Sequence, residues 1–195
     1  MDWTGNLEPG ARFNELSALH GWAGLCDRTL AFRRPELAAM SALWRQAAGN
    51  APIPKRADIG PRALKGHLPN VAIYERIAVD DTHRYRVRLM GTQFAQVMGD
   101  LTGKFIDAAL PPEFLPRWYA ALDSVLEGGV PLRFVSRSDT ANKSFLVGEF
   151  FEAPLLTEDG TMSLVIAAGI FTPAESWRGL LRDVASTRQL DGVHV

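Results

Sequence analysis

Arg84-Tyr85-Arg86-Val87-Arg88-Leu89-Met90-Gly91 alternates arginine with an aromatic or aliphatic residue. Successive side chains of a strand point to opposite faces, so this segment has one face to bury and one that can stay wet. That pattern belongs to an antiparallel sheet covered on one side. From Gly91 to Asp100 the apolar spacing changes from two to helical, and a longer amphipathic segment spans Glu113 to Gly128. The cover for the dry face therefore follows the strand in the chain.

Upstream, Asn70 to Ile77 reads as a strand, and Asp80-Asp81 joins it to the Arg84 strand as a hairpin. Downstream, Phe94, Ala95, Val97 and Met98 mark a short helix closed by Gly99. Pro111-Pro112-Glu113 then opens the longest core helix, where missing donors and the dipole favour proline and acid. Three strands follow, at Pro131 to Arg137, Phe145 to Leu156 and Thr161 to Phe171. Asp159-Gly160 is a tight-turn signal that makes the last two neighbours.

Two flanking helices complete the reading. Leu37, Met40, Leu43, Trp44 and Ala47 recur at helical spacing from Pro35 until Gly49-Asn50 stops them, and this stripe needs a partner, either the sheet or a second chain. Thr172-Pro173-Ala174-Glu175 matches a capping box, with Trp177, Leu180, Leu181 and Val184 on one face after it. The chain divides into an N-terminal extension (1–34), a core with its own leading helix (35–173) and a C-terminal helix with tail (174–195).

Length and composition bound the function. A chain of 195 residues, 47% hydrophobic, suits one domain with extensions. Lys plus Arg number 21 against 22 Asp plus Glu, so no overall field draws nucleic acid or an anionic membrane. Neither is expected as a partner. Cys26 is the only cysteine, which excludes an intramolecular disulfide and a Cys-based zinc cluster and fits a reducing compartment, the cytoplasm. There is no basic leader with an apolar run after it, and nowhere do about 18 apolar residues follow one another.

The element order, together with local words, resembles a PAS domain. The words run from Trp44-Arg45 through Pro54, Arg56, Asp58, Pro61, Leu64 and Leu68-Pro69, then Tyr85 and Arg88-Leu89-Met90-Gly91-Thr92, then Leu101-Thr102-Gly103. They are similar to a family of bacterial stand-alone PAS-like proteins over roughly residues 36 to 173. The resemblance implies an α+β fold: a five-stranded antiparallel sheet of order 2-1-5-4-3, helices over one face enclosing a ligand-sized cavity, and flanking helices at both ends. In PAS domains such a cavity holds a small molecule or a cofactor or is filled by side chains, so the expectation is a non-catalytic sensory or protein-interaction module, with room for a small apolar ligand, that signals through a homodimer or a signalling partner. No attached kinase, cyclase or DNA-binding segment is read, so the signal is expected to leave by association.

Chemistry is sparse by comparison. Cys26 lies upstream of the core, so flavin-adduct chemistry lacks its nucleophile. His20, His67, His83 and His194 all fall outside Gly91 to Gly129, where a haem ligand would sit. No metal-ligand spacing or phosphate loop appears, and turn and cap roles account for Asp100 and Asp107. No cofactor is named by these residues.

The expected interior comprises Tyr85, Val87, Leu89, Phe94, Val97, Met98, Phe105, Trp118, Leu122, Phe134 and Ile166. Tyr85, Phe94, Met98, Phe105 and Trp118 are the candidate ligand residues, adaptable apolar walls with one phenol as a polar handle. Arg88, Leu37, Met40 and Trp44 are the candidate partner residues. The arginines, with Arg133 and Arg137, are expected on a solvated outer face paired with Glu75, Glu149 and Glu152. The alternative class is a small cone-shaped α+β enzyme, an isomerase or hydrolase, which needs an acid or base in a pocket expected to be almost free of charge.

Overall fold

The computed structural model describes residues 8–138 and 146–173. The chain enters through helix α1 (Ala11–His20), strand β1 (Gly24–Asp27) and helix α2 (Pro35–Ala48). A hairpin of β2 (Val71–Val79) and β3 (Thr82–Met90) follows. Helices α3 (Thr92–Met98), α4 (Ile106–Ala109) and α5 (Leu115–Gly128) precede β4 (Leu132–Arg137), β5 (Leu146–Leu156) and β6 (Met162–Pro173). No helix of the described residues is long and apolar enough to cross a membrane.

All strands pair antiparallel in the order β1-β4-β5-β6-β2-β3. Strands β2 to β6 keep the 2-1-5-4-3 order, but the sheet has six strands rather than five. The addition is β1, which runs along the outer edge of β4 from Gly24 opposite Ser136 to Asp27 opposite Arg133. It satisfies an edge that would otherwise expose unpaired backbone groups. Four residues, Gly-Leu-Cys-Asp, are too short to show a period, which is why the strand is invisible in the sequence.

The sheet is also covered on both faces, where the sequence suggested one. Helices α1, α3 and α5 lie on the first face. Helix α2 lies on the second, burying Leu37, Met40 and Trp44 against Ile73, Phe151, Ala153 and Ile166. The indole of Trp44 donates to the Pro154 carbonyl at 2.9 Å. Strands β5 and β6 are apolar on both sides, and such central strands require two layers of cover.

The strand quoted first is itself less regular than its alternation. Ile73 stands opposite Leu89 and Tyr74 opposite Val87, so Arg88 is an extra residue in a β-bulge. Tyr85 and Val87 face α3 and α5, whereas Leu89 is turned to the α2 side together with Ile166. Both had been placed in the first interior. The bulge sits next to Gly91, where a Cβ would collide with the Leu68 carbonyl, so only glycine fits. At the other end of the core, Thr172 and Pro173 continue β6 opposite Val147 and Leu146 instead of opening a helix. The remainder of the expected C-terminal helix lies outside the described residues.

Candidate functional site

Between the first face and helices α3 and α5 there is a cavity of about 70 Å³. At roughly 10–15 Å³ per water-sized group, it takes on the order of five non-hydrogen atoms. A drug-sized ligand site is several times larger, about 300 Å³ or more. Phe94 and Met98 of α3 and Trp118 and Leu122 of α5 form the roof, with Phe134 of β4 and Phe150 of β5 below. The rings of Phe94 and Phe171 meet edge-on at 5.7 Å, as do those of Phe150 and Phe171 at 5.5 Å. Tyr74 meets Trp118 in the same way at 5.8 Å.

Phe150 lies across two glycines. A Cβ on Gly148 or on Gly169 would collide with its ring, so the bare backbone at both positions lets an aromatic side chain lie close to the sheet. Gly148 sits two residues before Phe150 on the same face, and Gly169 is its cross-strand partner.

One group breaks the apolar lining. Glu152 of β5 points into the cavity, and its Oε2 is buried with no hydrogen-bond partner among the described residues. Burial pushes its carboxyl up to about 8. Removing an ion from water penalises the charged form, and no cation offsets this. The phenol of Tyr74 is held well above its ordinary range, first by burial and then by the nearby Glu152 charge. Arg117 of α5 also reaches the lining and donates to the Arg137 carbonyl at 3.2 Å. Burial lowers Arg117 to about 10, which leaves it charged at neutral pH.

Phe94, Met98 and Trp118 are thus brought together at the cavity, and Tyr85 and Phe105 are not. Tyr85 is fully buried on the same face of the sheet but outside the lining, donating its hydroxyl to Asp123 of α5 at 2.6 Å. Burial first, then that carboxylate, raises its phenol. Phe105 lies at the β3 edge under the Arg84 guanidinium, 4.0 Å from the ring centre.

Leu37, Met40 and Trp44 are 1%, 0% and 5% exposed against the chain's own sheet, so none of them is open to a partner while α2 sits there. Arg88 remains half exposed, 3.2 Å from Glu75. Arg86 shares that carboxylate at 2.7 Å, and Arg84 turns away to Asp107, also at 2.7 Å.

The pairing expected for Glu149, Glu152 and Arg133 on a solvated face needs correction. Arg133 and Glu149 are buried and bonded at 2.7 Å, and Arg133 also holds Asp27 of β1 at 3.0 Å. The two Glu149 oxygens take the backbone N–H groups of Arg33 and Arg34 at the start of α2. Glu152 joins no such pair among the described residues. The interior expected to be free of charge therefore holds Glu152 and Arg117, neither of which sequence reasoning selected.

Cys26 is buried in β1 among the core residues and does not line the cavity. His83 Nε2 lies 2.8 Å from Asp123 Oδ1, and His20 stacks on Trp22. Among the described residues, no group of three His, Cys, Asp or Glu gathers to hold a metal ion.

The sequence family described as a PAS domain matches residues 32–170. Among solved structures, a light-oxygen-voltage domain described with a flavin analogue is 15% identical with a TM-score of 0.45, over 65% of this chain and 93% of that one. An RNA-binding light-oxygen-voltage receptor is 14% identical with a TM-score of 0.40, over 93% of this chain and 50% of that one. A sensory box histidine kinase/response regulator from Burkholderia thailandensis E264 is 17% identical with a TM-score of 0.35, over 67% and 95% respectively. No curated protein matches the chain. Similarity at this level assigns neither a ligand nor a partner.

Proposed function

We infer that this chain, which belongs to the PAS-domain family, is a sensory module that reads a small molecule in the cavity beneath α3 and α5 and reports it through protein contacts. The observation that carries this reading is the aromatic-lined cavity with one carboxyl oxygen of Glu152 left without a partner. A space so small fits a compact ligand rather than a large cofactor.

The route outward follows from β5. Phe150 and Glu152 face the cavity, while Phe151 and Ala153, between and beside them, support α2 on the other side. Repacking around an occupant shifts the strand that both layers share, and with it the helix that leads into the domain. A second copy or another signalling protein then meets the open end of β2 and β3, where Arg86 and Arg88 share Glu75. This replaces the α2 stripe as the docking surface.

Native mass spectrometry of the full chain, gently purified, tests the reading. A bound small molecule that is lost in Ala121→Leu, a variant that fills the cavity from α5, is the expected result. A ligand retained by that variant would place the binding elsewhere and sink the assignment.

Glu152 also favours a second reading, an enzyme with this carboxyl as general acid or base, since a pKa near neutrality suits that role. The two readings part on turnover. Chemical conversion of the bound molecule that stops in Glu152→Gln supports the enzyme; release of the molecule unchanged supports the sensor.

A further inference from the structure

We propose that the cavity takes a small alkylammonium ion, its charged end on Glu152 and its carbon end among the aromatic rings. This rests on the reading of the cavity as a ligand site and names the class of ligand.

The first ground is the orphan acceptor. A buried carboxyl oxygen without a donor is rare in folded proteins and is a costly arrangement. The donor that completes it best is an N–H on a cation, because a charge-assisted bond is the strongest such a carboxylate can form. The second ground is the wall. Tyr74, Trp118, Phe94 and Phe150 line the same space, and aromatic rings attract cations held over them when water is excluded. The third is size, which admits about five non-hydrogen atoms, an ammonium group with a short alkyl chain.

The charged and titratable groups facing the cavity are Glu152, Tyr74, Arg117 and Arg137. An anionic ligand would have to lie beside Glu152, and an ammonium ion beside Arg117, whose guanidinium has an acceptor of its own in the Arg137 carbonyl. The ammonium ion supplies the missing charge. It also sets a sign for pH: Glu152 in the empty cavity is held near 8, so at pH 7 binding an ammonium ion expels a proton. Affinity therefore climbs between about pH 6 and 8, below the range where the amine itself deprotonates, near 10.4.

The test is a titration of the full chain with n-butylamine, n-butanol and n-butyrate, followed by NMR and by calorimetry in two buffers of different ionisation enthalpy. Butylamine is expected to bind about tenfold or more tighter than butanol and to release close to one proton per site at pH 7. Glu152→Gln is expected to erase the preference for amine while leaving butanol binding in place. The wild-type comparison stands whether or not the variant folds.

Butyrate as the tightest of the three, or butylamine and butanol bound alike without proton release, overturns the ammonium assignment and leaves the cavity as a ligand site. Absence of binding by all three overturns the ammonium assignment, and lack of any ligand sensitive to Ala121→Leu in the native spectra separately removes the site itself.

Discussion

Glu149 and Glu152 stand three residues apart on β5 and live under opposite conditions. Glu149, on the α2 face, is saturated: Arg133 and the backbone N–H groups of Arg33 and Arg34 take both its oxygens. Glu152, on the cavity face, has an oxygen with no partner at all. The same strand thus presents a completed charge network to one layer and an incomplete one to the other. The α2 face is locked, since its network joins β1, β4, β5 and the entry to α2 across long stretches of chain. The cavity face holds an unmet bond that an incoming molecule can make. A locked face beside an unfinished one gives a sensor both a frame and a place for change.

Breaking the locked face should have the largest effect. Arg133→Met leaves Asp27 and Glu149 buried without their cation and should lower stability by about 3–5 kcal/mol, measured by urea unfolding. A loss under about 1 kcal/mol would mean that water reaches the network and that the contrast between the faces is false.

The unfinished face should respond in the opposite direction. The folded chain holds a proton on Glu152 up to about pH 8, against an ordinary value of 4.5 for the unfolded one. The stability this gives is complete below pH 4.5 and is lost as pH rises toward 8. Glu152→Gln, which mimics the protonated form, should therefore stabilise the chain above pH 8 by on the order of 3 kcal/mol and change little at pH 4. Unfolding curves compared at both pH values check the sign; equal shifts at both would show that Glu152 is solvated.

The smallest effect belongs to the open surface. Arg88→Ala removes a half-exposed contact to a carboxylate that Arg86 still holds, and should cost under about 1 kcal/mol. If the same variant loses association in sedimentation, Arg88 acts on a partner; unchanged association removes it from the docking surface.

Much of the core was legible. The hairpin of β2 and β3, the helix with Phe94 and Met98, the amphipathic α5 and the Asp159-Gly160 turn all follow from local period and turn chemistry. Three features were not. Strand β1 is too short to carry a pattern. The bulge at Arg88 adds one residue and sends Leu89 to the far face, a change that no alternation announces.

The third is Glu152. Alternation already forbids Glu149 and Glu152 from sharing a face, so placing both outside was an error of parity. Phe150 and Phe151, adjacent aromatics between them, remove the cue that tells which face is wet. Gly148 and Gly169 were the available signal, because a bare glycine inside an apolar strand marks a close approach, here of Phe150.

The amino-acid order by itself determined which segments form strands and helices, in what sequence, and which side chains share a face, because period and turn preference act over a few neighbouring residues. Only the tertiary structure decided which buried charge is answered. Glu149 meets Arg33 across 116 positions and Arg133 meets Asp27 across 106, while no donor of the described residues reaches Oε2 of Glu152. Electrostatic satisfaction in a low-dielectric interior depends on distances between remote parts of the chain, and those exist only once the layers have packed.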